Sequence, residues 1–413
     1  MVGVNALITS GVSNYHEKFS DAQSTMLHYP PYRANILFED TCVLIGSTAY
    51  EHYPITCFED PIFFIVLEGM IYNIDDTTIR KDLFAIANEL HDRGLFKETI
   101  TRFLTHADGE FVILIYNKQT GDLCVFNDAL GRLPFFWYMD DEIVAFSREI
   151  KFMHSFIGQI TFNRSALMEY LLYGFALGER TLIKGVERLL PATLLMYRGS
   201  NHNLSKEQVL PLTFEPEEKD RKSPRENIQD LRRSFLEGLR NRVEKLGSKK
   251  ALISLSGGLD SRATLAGLTA CGVKPKGVTY DTAPENAGEL EYTQQIADLF
   301  GVPLIHLTPS KEPDHEDYLR YVAMIDAAQP IGLANVMDIE EQLMSHEGTD
   351  VIYYTGLYGG ELLRYLNVTS GLSSDEDLVQ FLLTTPDQYR YACEKVCAML
   401  QISEDEIRQH LRA

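Results

Sequence analysis

The sequence is poor in basic residues: 38 Lys and Arg stand against 59 Asp and Glu, a formal net charge of −21 at pH 7. Nucleic-acid binding depends on Lys and Arg that neutralise phosphates, so this balance argues against DNA or RNA as a partner. The sequence also lacks a basic leader and any apolar run near the ~20 residues that a membrane span needs. These absences predict a soluble, cytoplasmic protein that acts on small molecules.

The six cysteines show no CxxC pair and no histidine at metal-binding spacing. Zinc sites and disulfide frameworks both depend on such spacing, so neither is predicted. Reduced thiols without a chemical role are the expectation.

The 413 residues, 45% of them hydrophobic, are enough for two cores. Residues 1–200 contain short β-branched and aromatic runs, with helical patterns at 78–91 and 165–173, which predicts an α+β layered domain. Residues 201–225 are polar and contain prolines, which predicts a linker. Residues 226–413 alternate between strand and helix, which predicts an α/β domain with a parallel sheet. Its predicted helices are 227–245, 260–270, 288–300 and 317–327, and its predicted strands are 251–255, 276–280, 303–307 and 351–354.

Residues 255–262, LSGGLDSR, follow a strand pattern and open a helix. Gly257 and Gly258 allow backbone N–H groups to turn inward, and Ser256 and Ser261 add hydroxyls at a helix end that attracts anions. The loop therefore predicts phosphate binding. Asp260 would repel a phosphate unless a divalent cation lies between them, which predicts Mg²⁺. The alternative is a purely structural strand-to-helix turn with Asp260 as a cap.

The segment SGGLDS resembles the signature of pyrophosphatase-loop ATP hydrolases, and its surroundings resemble the asparagine synthetase family. Residues 107–117 and 127–136 resemble the class II glutamine amidotransferase domain that this family carries. The resemblance implies an α+β N-terminal-nucleophile-like domain over 1–200. It also implies an adenine nucleotide alpha hydrolase-like domain over 226–413, shortened at its C-terminal end.

The resemblance also implies the site. ATP and Mg²⁺ would be the cofactors, with Asp260 and Glu361 as catalytic and metal-binding acids; Gly360 stands where the family has its metal-binding Asp. The implied nucleotide-binding residues are Leu255, Ser256, Gly257, Gly258, Asp260, Ser261, Thr279, Tyr280 and Gly356.

The front domain departs from the family at two positions. A glutaminase of this class needs a thiol on the residue after the initiator Met, but residue 2 is Val. Glu68 replaces the Asn that stabilises the oxyanion, and a carboxylate there would repel developing negative charge. These losses predict an inactive glutaminase.

The leading hypothesis is an AMP-forming amide ligase that adenylates a small-molecule or peptide carboxylate. The amine is either ammonia or an amine of the substrate, as in the beta-lactam synthetase and lasso-peptide cyclase branch. One alternative is an asparagine synthetase that acts on aspartate. Another is a pseudoenzyme that binds nucleotide without turnover, as a scaffold or regulatory subunit. A homodimer or a partner protein would complete the short C-terminal region.

Overall fold

The computed structural model describes residues 2–90, 93–211, 222–280, 287–326, 328, 336–357, 374–384, 391 and 393–412. Residues up to 211 form the front part and residues from 222 form the rear part. The strands of the front part are β1 Gly3–Thr9, β2 Arg33–Glu39, β3 Val43–Ala49, β4 Ile55–Glu59, β5 Phe63–Ile71, β6 Gly109–Asn117, β7 Leu123–Asn127, β8 Phe136–Met139, β9 Ile143–Ser147, β10 Val186–Arg188, β11 Thr193–Arg198 and β12 Asn203–Gln208. Its helices are α1 His16–Ser24, α2 Asp76–Asn88, α3 Arg93–His106, α4 Ile150–His154 and α5 Arg164–Tyr173.

The front strands form two six-stranded sheets in which all neighbours are antiparallel. The first has the order β10-β8-β9-β1-β3-β2 and the second β12-β11-β7-β6-β5-β4. Central strands such as β1 are buried along their whole length. A strand that is covered on both faces has a continuous apolar run in its sequence rather than alternating polar and apolar residues. This burial explains why the sequence of the front part is so rich in β-branched runs.

Three apolar layers hold the front part together. Between the sheets, Val4 and Phe146 of the first pack with Val66 and Leu114 of the second. Helices α2 and α3 cover the outer face of the second sheet, and α1 and α4 cover that of the first. The result is a four-layer α-β-β-α arrangement, and the α+β expectation is confirmed.

The single tryptophan of the chain, Trp137, belongs to this part. It lies on β8 opposite Phe146 and is partly buried against the layer between the sheets. The ammonium group of Lys206 lies 5.7 Å from its ring centroid.

The structure differs from the expectation at the start of the predicted linker 201–225. Strand β12 pairs with β11 along its full length, and Val209 is buried in the layer under α2 and α3. The strand lies at a sheet edge, where one side meets solvent and polar residues are tolerated. The polar composition of β12 therefore resembles that of a linker between domains. The front part extends to about residue 210.

The rear part alternates strand and helix as predicted. Its elements are α6 Pro224–Glu244, β13 Lys250–Ser254, α7 Leu259–Ala270, β14 Lys276–Tyr280, α8 Ala287–Phe300, β15 Leu304–Leu307, α9 His315–Ile325, α10 Val336–Glu347, β16 Val351–Tyr354, α11 Asp375–Thr384, α12 Cys393–Leu400 and α13 Glu404–Arg412. The four strands are parallel, in the order β15-β14-β13-β16. Leu239 of α6 and Leu265 of α7 pack on one face, and Ile339 of α10 packs on the other. No helix among the described residues has the length and apolar character needed to cross a bilayer.

Contacts near both ends of the rear part join it to the front part. The guanidinium of Arg242 on α6 donates to both carboxylate oxygens of Asp108, at 3.0 and 3.2 Å, and lies 4.3 Å from the Tyr72 ring centroid. At the other end, α12 and α13 pack on α5 around a shared apolar cluster, and His410 lies 2.6 Å from the buried carboxylate of Glu169. The rear part is thus fixed to the front at both of its ends.

Candidate active site

The loop between β13 and α7 is held by its two serines. The hydroxyl of Ser261 donates to the carbonyl of Ser256 at 3.0 Å, and the hydroxyl of Ser256 accepts from the amide of Gly258 at 3.2 Å. Helix α7 begins at Leu259, with Gly258 as its N-cap, and no side chain caps it. The first amides of a helix lack intrahelical acceptors, so this end presents donors to a ligand.

Gly356 follows strand β16 and lies directly against this helix end. A Cβ atom at this position would come 2.7 Å from the amide nitrogen of Ser261 and 2.8 Å from the carbonyl carbon of Asp260. Both are backbone atoms, so neither is free to move aside. Glycine is therefore required for the end of β16 to meet the start of α7.

The loop borders a cavity of about 890 Å³ at the carboxyl edge of the parallel sheet. In doubly wound sheets, ligands bind at this edge, and the volume lies within the about 300–1,000 Å³ typical of ligand sites. Of the residues expected at the site, those that line it are Ser256, Gly258, Asp260, Ser261, Tyr280 and Gly356.

The other expected site residues are placed differently. The side chain of Leu255 is buried in the core between the sheet and its helices, where its amide donates to the carbonyl of Val278. Gly257 and Thr279 are not among the described residues that line the cavity. Glu361 and Gly360 lie outside the described residues, so their roles stay predictions.

The residues present fit a magnesium-bound nucleotide. The helix end offers amides, the serines offer hydroxyls, and Asp260 lies in the first turn of α7. Within the described ranges, no group of three His, Cys, Asp or Glu side chains is arranged to hold a metal ion. Protein sites for Mg²⁺ with bound phosphates usually supply only one or two carboxylates, so Asp260 at this position meets the requirement.

Sequence reasoning missed part of this cavity. Tyr29, Tyr32 and Tyr50 of the front part line it, as does Glu340 of α10. The hydroxyl of Tyr29 donates to Oε2 of Glu340 at 2.6 Å, across 311 positions of sequence. No local pattern in the sequence signals a contact of that range.

The second group of interest surrounds Glu68 in the front part. Its carboxylate is fully buried and accepts from the amide of Val4 at 2.8 Å and from the hydroxyl of Tyr53 at 2.6 Å. The guanidinium of Arg148, itself nearly buried, forms an ion pair with it. This carboxylate is therefore neutralised rather than free to meet a substrate.

Gly3 shows how closely the chain start packs on this pair. Its φ of +146° lies in the region that favours glycine, and a Cβ atom would come 2.3 Å from Cγ of Arg148 and 2.5 Å from Oε1 of Glu68. Val2 precedes it and carries no nucleophilic atom. Of the predicted lost glutaminase positions, Glu68 thus lies against Gly3, the residue that follows Val2.

Comparison with known proteins bears on this part of the chain. A family of glutamine amidotransferase domains matches residues 1–207 of the 413 residues. The chain belongs to the glutamine amidotransferase domain family. The matched range covers the layers of the front part and reaches Glu207 in β12, which agrees with the domain boundary seen in the structure.

Relatives of this amidotransferase-type chain differ in length and sequence. The amidase chyE of Penicillium rubens is 27% identical over 180 residues, which are 43% of this chain and 25% of that protein. The chain thus spans about a quarter of the length of the curated relative that it matches. Among solved structures, a glutamine PRPP amidotransferase from B. subtilis complexed with ADP and GMP is similar to this chain with a TM-score of 0.32 and 10% sequence identity. That match covers 94% of this chain and 95% of the amidotransferase chain.

An allosteric regulatory enzyme of purine biosynthesis is also similar, with the same TM-score and 11% identity. That match covers 99% of this chain and 98% of the enzyme chain. The family match points to an enzyme that acts on amide nitrogen.

Proposed function

We propose that this chain is an ATP- and Mg²⁺-dependent ligase that joins a carboxylate and an amine without glutaminase activity. The observation that carries the proposal is the helix end at Gly258, with Asp260 and the two serines, on a cavity at the carboxyl edge of a parallel sheet. The likeness to the asparagine synthetase family agrees with this placement and supplies the reaction class.

In the proposed reaction, a carboxylate oxygen of the substrate attacks the α-phosphorus of ATP and pyrophosphate leaves. An amine then attacks the acyl carbon and AMP leaves, which gives an amide. The amides at the start of α7 and the hydroxyl of Ser256 would hold phosphate oxygens, and Asp260 would hold the metal. Bound Mg²⁺ would neutralise charge on the phosphates. The protein would act mainly by alignment and electrostatic stabilisation.

The front domain would not supply ammonia. Hydrolysis of glutamine in this class needs a nucleophile at residue 2, and an isopropyl group forms no thioester. The surroundings of Glu68 further support this, because its carboxylate offers no N–H donor to the negative charge that develops on an attacked amide and is already paired with Arg148. We infer that this domain packs against the rear part and helps to line its cavity.

Titration calorimetry with ATP, with and without Mg²⁺, tests the proposal. We expect Mg²⁺-dependent uptake that weakens at least about ten-fold in the Asp260→Asn variant, about 1.4 kcal/mol. The matched control is Asp298→Asn, which changes an exposed acid on the neighbouring helix α8. Absence of Mg²⁺-dependent uptake by the unmodified chain would refute the ligase.

Turnover is tested by exchange of labelled pyrophosphate into ATP in the presence of candidate acids. Exchange with aspartate, and formation of asparagine from ammonia, would favour the asparagine synthetase alternative. ATP uptake without exchange for any acid tried would favour nucleotide binding without turnover. Release of glutamate from glutamine would contradict the inactive front domain.

A further inference from the structure

One wall of the rear cavity consists of rings from the front domain. Tyr29, Tyr32 and Tyr50, here called the tyrosine wall, all line it. The ring centroids of Tyr29 and Tyr32 are 5.5 Å apart, and those of Tyr32 and Tyr50 are 6.2 Å apart. The front domain therefore contributes an aromatic surface to a site whose loop belongs to the rear part.

A carboxylate projects into the same space. Glu340 on α10 accepts the hydroxyl of Tyr29 at 2.6 Å, and solvent reaches it through the cavity. Nearby protein atoms remove part of the hydration of the carboxylate, which raises its pKa. A charged ligand that paired with it would relieve the cost of holding the carboxylate there.

The charges of the cavity favour one sign of ligand. The described residues that line it include two acids, Asp260 and Glu340, but no Lys, Arg or His. An anionic group placed beside Glu340 would be repelled by the carboxylate, whereas a cation would be attracted by it and by the faces of aromatic rings. Arg320, which is not one of these lining residues, lies 5.7 Å from the Tyr29 ring centroid. Within the tyrosine wall, Tyr32 and Tyr50 are the rings left for a ligand.

We propose that this cavity binds an organic cation, with its ammonium beside Glu340 and its apolar body against Tyr32, Tyr50 and the side chains of Leu343 and Met344. The inference rests on the proposed ligase and deepens it: the amine that attacks the activated acid belongs to a bound organic substrate rather than to free ammonia. Glu340 accepts one proton from the bound ammonium, and the neutral amine then attacks the acyl carbon of the adenylate as AMP leaves. A substrate with two carboxylates, such as aspartate, is disfavoured because its second carboxylate would lie near Glu340.

Binding of a probe series without ATP tests this charge preference. The probes are phenethylammonium, neutral 2-phenylethanol and anionic 3-phenylpropanoate, measured by ligand-observed NMR titration of the full chain. We expect phenethylammonium to bind at least about ten-fold more tightly than either of the others, about 1.4 kcal/mol. Equal affinity for all three, or a preference for the anion, would overturn the inference.

Variants locate the site. Glu340→Gln keeps an acceptor for Tyr29 but removes the charge, and should weaken phenethylammonium at least about ten-fold. The matched control is Glu341→Gln on the same helix, since Glu341 pairs with Arg320 at 2.5 Å and does not line the cavity among the described residues. Equal losses in both variants, or no loss in Glu340→Gln, would contradict the assignment.

The ring requirement is tested separately. Tyr50→Phe keeps the aromatic face and should retain affinity for phenethylammonium. Tyr50→Leu should lose about five-fold in affinity, which corresponds to the upper end of the range for an exposed cation–π contact. Cation binding without any Mg²⁺-dependent ATP uptake would refute the ligase and leave this site standing. ATP uptake with no preference for the cation would refute this inference and leave the ligase standing.

Discussion

The front and rear of the molecule each contain a glutamate bonded to a tyrosine hydroxyl at 2.6 Å, Glu68 with Tyr53 and Glu340 with Tyr29. Glu68 is fully buried, paired with Arg148 and bonded to a backbone amide, so its hydrogen-bonding capacity is used within the protein. Glu340 faces a cavity that no basic side chain lines within the described ranges. The Glu68–Tyr53 pair therefore stabilises the packing of the front part. The Glu340–Tyr29 pair lines an open cavity, where we propose that it recognises a ligand.

The largest loss of stability is expected at the buried ion pair of Glu68 and Arg148. Arg148→Met leaves the buried carboxylate of Glu68 without its counter-charge, and removal of one partner of a buried pair costs about 3–5 kcal/mol of unfolding free energy. Urea unfolding followed by circular dichroism measures the loss. The exposed pair Arg102 and Glu98, 3.2 Å apart, gives the control, because Arg102→Met should change stability by less than about 0.5 kcal/mol.

A double variant sharpens this prediction. Glu68→Leu with Arg148→Met removes both charges, so most of the lost stability should return. A double variant as unstable as Arg148→Met would contradict the charge explanation and would assign the loss to packing and to the buried donors of Val4 and Tyr53.

A second prediction concerns the loop of the open cavity. In Gly356→Ala, the new methyl group would meet the backbone of Asp260 and Ser261, and the start of α7 must shift. We expect a loss of about 1–3 kcal/mol in stability and weaker Mg²⁺-dependent ATP uptake by calorimetry. Gly158→Ala is the control, since a Cβ atom there meets nothing within 4 Å. Unchanged ATP uptake in Gly356→Ala would separate this glycine from the nucleotide site.

The smallest effect is a pH dependence at Glu340. Burial raises its pKa above the ordinary 4.5, so the folded state holds a proton at pH values where the unfolded state has lost it. That contribution to stability is present below pH 4.5 and is lost as the pH rises through the raised pKa. The stability of the unmodified chain relative to Glu340→Gln should therefore fall as pH rises, by less than about 1 kcal/mol because solvent reaches the group. Urea unfolding at several pH values measures the difference in unfolding free energy between the two proteins. A difference that does not change with pH would contradict the prediction.

Local patterns predicted the elements well and the contacts between them poorly. Strands 276–280 and 351–354 have the predicted bounds, because β-branched and aromatic residues favour a strand. Helix α2 begins at Asp76 rather than at 78, because Asp75 caps it through the amides of Thr77 and Thr78. The polar side chains of edge strand β12 have the composition of a linker, so composition alone misplaces this strand.

At the candidate site too, local features could be predicted from the sequence and long-range contacts could not. Ser256, Asp260 and Ser261 could be predicted because a loop and a helix end are adjacent in sequence. The partner of Glu68 lies 80 positions away, and that of Glu340 lies 311 positions away. Such pairs are set by how the layers stack, which a single sequence does not state.

The lone indole of Trp137 offers a way to watch one part of the molecule by itself. It lies on β8 within the front sheets, while the rear sheet and its helices contain no tryptophan at all. Emission excited at the red edge, where tyrosine does not absorb, therefore reports melting of the amidotransferase-type layers alone. Set beside a far-ultraviolet signal from the whole chain, it would show whether the two parts come apart together or in sequence.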